Sequence, residues 1–224
     1  MISTLINQMD SAWQLFLHNS DWMAWNLFLA LIPLALSVIL FTLPQILGFK
    51  YKLNSFLWGV LFLVFIAFLP NAPYVLTDLI HLVANIKQHN SLWVIMLVIF
   101  PQYFLFTLIG FTAYVLSLIN LVKFLKSKGW QQKYIVTAEL VAHALSAIGV
   151  YLGRFLRFNS WDIITDLPNL INSLTNDLIG KRPIMTISII FVGLTILYWV
   201  MKQISLGIML RIKQINNQRE ISPT

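Results

Sequence analysis

Long apolar runs separated by short polar stretches set the pattern of this chain. About 20 helical residues cross a bilayer core, so such runs predict membrane-spanning helices. A first span is predicted at 23–43, with Pro33 as a kink point, and a second from Asn54 to Leu69. The next apolar stretch, 91–122, is too long for one straight crossing; Pro101 is expected to divide it into a short outer piece and a span near 102–122. A fourth span is predicted at 134–156 and a fifth at 184–206. Ahead of these, Leu5, Ile6, Met9, Trp13, Phe16 and Leu17 recur at near-helical spacing with polar residues between them. That spacing predicts an interfacial helix over 1–22, although it lacks the basic face common in such helices. Ile163, Leu167, Leu170, Ile171, Leu174 and Leu178 likewise predict an amphipathic helix within the loop 157–183. The expectation is an all-α bundle of about five spans over 23–206, followed by a basic tail at 207–224. No internal repeat is visible, so the inverted-repeat architecture of many transporters has no support.

Composition narrows the class further. The chain is 58% hydrophobic and only 10% charged, against roughly 25% charged in an ordinary soluble domain. A sizeable soluble domain is excluded. The net charge of +7 does not point to nucleic acid, because the basic residues lie in short loops between apolar runs. Lys50, Lys52, Lys123, Lys126, Lys128, Lys133, Lys202, Arg211, Lys213 and Arg219 share one side of a five-span topology. Lys87, Arg154, Arg157, Lys181 and Arg182 fall on the other. The positive-inside rule then places the N-terminus outside and the C-terminus in the cytoplasm. Cysteine is absent, which removes disulfides, thiolate metal sites and a cysteine nucleophile. The N-terminus lacks a positive n-region, so no signal cleavage is expected.

Two segments interrupt the apolar pattern. In Leu69-Pro-Asn-Ala-Pro-Tyr-Val-Leu-Thr-Asp-Leu-Ile-His81, Pro70 and Pro73 are expected to break a helix and push Leu69 and Ala72 off helical angles. The helix then restarts with Tyr74, Thr77, Asp78 and His81 along one face. Ionisable residues inside such a run mark a functional site by default; an interfacial helix showing Asp78 and His81 to water is the plain alternative. The second segment ends the fourth span, where Glu139, His143, Ser146, Val150, Arg154 and Arg157 follow one face. Glu139 and Arg154 are about 22 Å apart on a helix, so they belong to separate sites. Glu139 and His143 are expected to form an inner structural pair. Arg154 and Arg157 lie in the layer of Asp78, with Trp161 and Asp162 following. Arginine forks match phosphate and carboxylate; the alternative is that they snorkel to the interface beside Trp161. Gly149 and Gly153, like Tyr103, Thr107, Gly110, Tyr114 and Ser117, suit close helix packing.

Catalytic signals are weak. Asp78 and His81, joined by His143 or Asp162, could give three ligands for a metal, but without the spacing of a zinc protease. No phosphate loop or nucleophile elbow occurs, and no cofactor or metal is expected. The two segments 69–81 and 151–162 resemble those of an uncharacterised bacterial membrane family, domain of unknown function 1361, over roughly residues 25–205. The resemblance implies a bacterial integral membrane protein of the cell membrane and transfers no activity. The leading expectation is an outer-leaflet site for an anionic headgroup or small anionic solute, built from Asp78, His81, Arg154, Arg157, Trp161 and Asp162. A membrane enzyme using Asp78 and His81, or a structural subunit without a ligand, are the alternatives. Membrane lipids are the expected partners.

Overall fold

A computed structural model describes residues 2–47, 54–88, 91–158, 165, 168 and 181–221. Among the described residues there is no strand, and five helical stretches are long and apolar enough to cross a membrane: Ala12–Leu47, Ser55–Lys87, Leu92–Ser127, Gln132–Phe155 and Lys181–Gln218. The expected all-α, five-span class is therefore what the chain adopts. In chain order the elements are α1 (Ile2–Ser37), a π-helical turn (Val38–Thr42), α2 (Leu43–Leu47), α3 (Ser55–Phe68), α4 (Asn71–Tyr74) and a 3-10 turn (Val75–Asp78). Next come α5 (Leu79–Gln88), α6 (Leu92–Val94), a second π turn (Ile95–Ile99), α7 (Phe100–Ser127), α8 (Gln132–Phe155) and α9 (Lys181–Ile221).

Several expected boundaries move. The helix predicted over 1–22 is continuous with the first span, so no separate element precedes it; its interfacial placement remains an expectation. Pro101 does not divide the third stretch. Both π turns sit immediately ahead of a proline, Pro44 or Pro101. Neither proline can donate to the carbonyl four residues back, and its ring crowds that oxygen. Widening the preceding turn absorbs the conflict: Leu43 N–H reaches Val38 O and Phe100 N–H reaches Ile95 O, five residues back. Helix α9 runs on from the predicted fifth span through Ile221. The amphipathic reading of 157–183 falls almost entirely outside the described residues.

The double-proline segment departs from expectation in an instructive way. Leu69 (φ −53°, ψ −39°) and Pro70 (φ −62°, ψ −22°) keep helical angles, and Ala72 lies within α4. The local preference against helix before proline is overridden by packing, while the hydrogen-bond ladder is what changes. Ala72 N–H closes a tight bond to Leu69 O at 3.3 Å. The Asn71 side-chain amide donates to Phe68 O at 3.1 Å. Leu69 O, which Pro73 cannot serve, is thus recovered by Ala72, and Phe68 O, which Ala72 gives up, is taken by Asn71.

Packing holds this segment from two sides. Ala72, Pro73 and Val75 are buried. A Cβ built on Gly149 of α8 would meet Pro70 Cγ at 2.5 Å, and one on Gly110 of α7 would meet both Val75 methyls at 2.8 Å. Only glycine permits either approach. The expected small-residue packing is confirmed, with the broken segment as the partner of both glycines. Below it, Phe41, Phe62, Phe65 and Phe124 pack ring against ring, Phe41 and Phe65 at 5.3 Å and nearly perpendicular, an arrangement that suits the aromatic quadrupole.

Replacing Gly149 by alanine forces its methyl into a proline ring that cannot swing away. A loss of about 1–3 kcal/mol is expected, read as early thermal unfolding in detergent. Gly193→Ala, with nothing within 4 Å of the added carbon, is the control and should be neutral or stabilising.

Candidate functional site

Four parts of the chain meet around Asp78. On α1, His18, Asn19, Trp22 and Asn26 fall at helical spacing on one face. The 3-10 turn and α5 bring Asp78, His81 and Asn85, α7 brings Tyr103, and α8 brings Arg154. Together with Tyr74 and Ala84 these residues line a cavity of about 500 Å³.

Asp78 is 2% exposed, and both its oxygens are engaged. Asn26 Nδ2 donates to Oδ2 at 3.2 Å, and Arg154 Nη1 donates to Oδ1 at 3.4 Å. That second contact is longer than the roughly 2.7–2.9 Å of a strong charge-assisted bond and uses one N–H rather than a bidentate fork. Arg154 makes no other hydrogen bond among the described residues, so most of its five donors remain open. His81 Nε2 stands 4.0 Å from Asp78 Oδ1 with its side chain 53% exposed, and its ring lies against Trp22 at 5.4 Å. The Thr77 hydroxyl is spent locally on Tyr74 O at 2.7 Å.

An amide seam closes the cavity wall. Asn85 Nδ2 donates to Tyr103 Oη at 3.0 Å and to Asn19 Oδ1 at 3.3 Å. Asn19 in turn donates to Gln102 Oε1 at 3.4 Å, and Gln102 Nε2 bonds Phe16 O and Ser20 Oγ. These bonds tie α1, α5 and α7 at one level. Tyr103 and Arg154 lie about 30 Å along α7 and α8 from Lys123 and Lys133, one hydrocarbon thickness.

The structure thus brings Asp78, His81 and Arg154 together. It does not bring Arg157 with them. Helix α8 stops at Phe155, Arg157 takes φ 61° and is exposed, and Leu152 O accepts both Leu156 N–H and Phe158 N–H as the chain turns. The one-face spacing that joined Arg157 to Arg154 fails because the helix ends between them. Trp161 and Asp162 lie outside the described residues. Asn26, Asn19 and Trp22 were missed by sequence reasoning, although their spacing on one helix face was legible. Asn85 and the cavity role of Tyr103 carried no sequence signal.

Glu139 and His143 form the separate inner site expected, but not as a mutual pair. Tyr198 Oη and Lys202 Nζ, both from α9, donate to Glu139 Oε1. His143 Nδ1 instead shares a 2.7 Å hydrogen bond with Tyr114 Oη of α7, and its ring lies 4.6 Å from Tyr198. The cluster therefore fastens α8 to both neighbours. Lys202, which orientation reasoning assigned to the cytoplasmic flank, is an interior ion-pair partner with a side chain 19% exposed. No group of three or more His, Cys, Asp or Glu placed to hold a metal occurs among the described residues. His143 joins Glu139's cluster, well removed from Asp78.

Fold and site together define a multi-pass helical bundle with a polar cavity at one end and a buried ionic clamp within it. A family model described as "Protein of unknown function (DUF1361)" matches residues 25–196, and the chain belongs to that family. No curated protein and no solved structure matches the chain.

Lys202→Met strands Glu139 without its cation. A loss of about 3 kcal/mol is expected, the low end for a broken buried pair. Glu139→Gln combined with Lys202→Met should recover much of it in thermal unfolding.

Proposed function

We propose that the Asp78–Arg154 cavity binds an anion of the phosphate or carboxylate type, carried by a lipid headgroup or a small solute. The observation that carries this reading is the state of Arg154. Its guanidinium faces a polar cavity of about 500 Å³ while engaged, among the described residues, through a single long hydrogen bond. An open guanidinium edge beside amides and imidazoles is built to receive a planar or tetrahedral oxyanion. Asp78 and Asn26 orient the arginine, and His81 stands at the mouth. Arg157 has no part, since it lies off the helix face.

The cavity's level supports a place at the membrane face opposite the lysine-rich loops. With the positive-inside rule this is the outer leaflet of a bacterial cell membrane, with the N-terminus outside. Orientation is tested by labelling single cysteines introduced at Lys128 and at Lys181 in intact cells: only the second should react with an impermeant reagent.

Binding is tested by thermal unfolding with dimethyl phosphate and with short-chain phosphatidylglycerol, two phosphodiester monoanions of which the second adds a glycerol headgroup and acyl tails. Wild type should gain about 2.7 kcal/mol at a hundredfold excess over Kd, and Arg154→Met should not respond. Stabilisation by the lipid alone identifies a headgroup; stabilisation by both identifies a small anion. No response to either, with Arg154→Met melting early, makes the ion pair purely structural.

A further inference from the structure

An anion entering this cavity meets a strict charge count. Among the described residues, the fixed charges lining it are one carboxylate, Asp78, and one guanidinium, Arg154. Asp78 is almost completely buried, so water does not screen it. The titratable groups that face it among the described residues are His18 from α1, Tyr74 ahead of the 3-10 turn, His81 from α5 and Tyr103 from α7, with Arg154 from α8. No second lysine or arginine lines the cavity among the described residues. A monoanion on the open edge of Arg154 must therefore share one positive charge with Asp78. The loaded cavity would hold one negative charge in excess, which is costly where water is scarce.

A proton is the smallest species that cancels the excess, and the geometry provides its place. His81 Nε2 lies 4.0 Å from Asp78 Oδ1, and the imidazole is half exposed. It stands between the buried carboxylate and the outside of the bundle. A proton shared by this pair either neutralises the carboxyl or sets an imidazolium against it.

We infer that anion binding takes up one proton, shared by Asp78 and His81, so that the protein loads an anion and a proton together. This rests on the anion-site reading above. One anion and one proton enter, no covalent bond in the anion is made or broken, and the cavity returns to its original net charge. Because the bound state holds one more proton, affinity falls as pH rises.

Calorimetric titration of the full chain in detergent, in buffers of different ionisation enthalpy, counts the protons directly. Dimethyl phosphate and short-chain phosphatidylglycerol are the probes, since a phosphodiester keeps its single charge across the range. Uptake of about one proton per anion is expected, with affinity falling up to about tenfold per unit between about pH 5 and 8. Asp78→Asn should lose the pH dependence and bind more tightly than wild type at the alkaline end. Binding without proton uptake overturns the coupling and leaves the anion site standing. A requirement for sodium in place of the proton does the same. A slope that persists in Asp78→Asn puts the proton elsewhere and also overturns it. If neither probe binds wild type at any pH, the anion site and the coupling fall together.

Discussion

The seating of Pro70 and Val75 against Gly149 and Gly110 is the constraint on which the rest of the bundle depends. A helix interrupted by two prolines loses backbone donors, and lipid offers none in return. The break lies in the interior, where Asn71 and a tight 3-10 bond satisfy Phe68 O and Leu69 O. The two glycines let α7 and α8 approach closely enough to grip it. With α4 held there, the following 3-10 turn is aimed at α1 and α8, and Asp78 arrives within reach of Asn26 and Arg154. Were the break to move by one residue, the carboxylate would turn by about 100° on the helix and miss both.

The same packing separates two polar layers. Near one end lie Asp78, Arg154 and the amide seam; deeper lie Glu139, Lys202, Tyr198, His143 and Tyr114. Pro70, Val75, Gly110 and Gly149 occupy the space between them. The two layers differ in character. Glu139 is answered by two donors within the bundle, one of them charged, which reads as a fastening of α8 to α9. Arg154 is answered, among the described residues, by one long contact beside an open cavity, which reads as a place for a ligand. That difference in satisfaction, rather than the presence of charge, separates a clamp from a site.

Much of this was legible along the chain. Long apolar runs leave few choices in a bilayer, so the five spans and the all-α class follow from pattern. The stripe on α8 correctly placed Glu139, His143 and Arg154 on an inward face, because helical spacing is enforced wherever the helix continues. Arg157 was misplaced for the same reason in reverse: spacing says nothing once the helix has stopped at Phe155. Position near a span's end did not reveal that Lys202 turns inward; only α9's packing against Glu139 shows that.

What the sequence alone determined was the class of protein, the approximate spans and the two segments that carry its chemistry. These rest on local rules, namely hydropathy, helical period and the missing amide of proline. Tertiary structure decided which polar residues share a site. Asn19, Asn26, Asn85 and Tyr103 come to Asp78 from three different elements, and no local rule relates residues so far apart in the chain. It also decided how the prolines are tolerated: Leu69 keeps helical angles against its own preference, because close packing on two glycines outweighs a steric bias confined to one peptide unit.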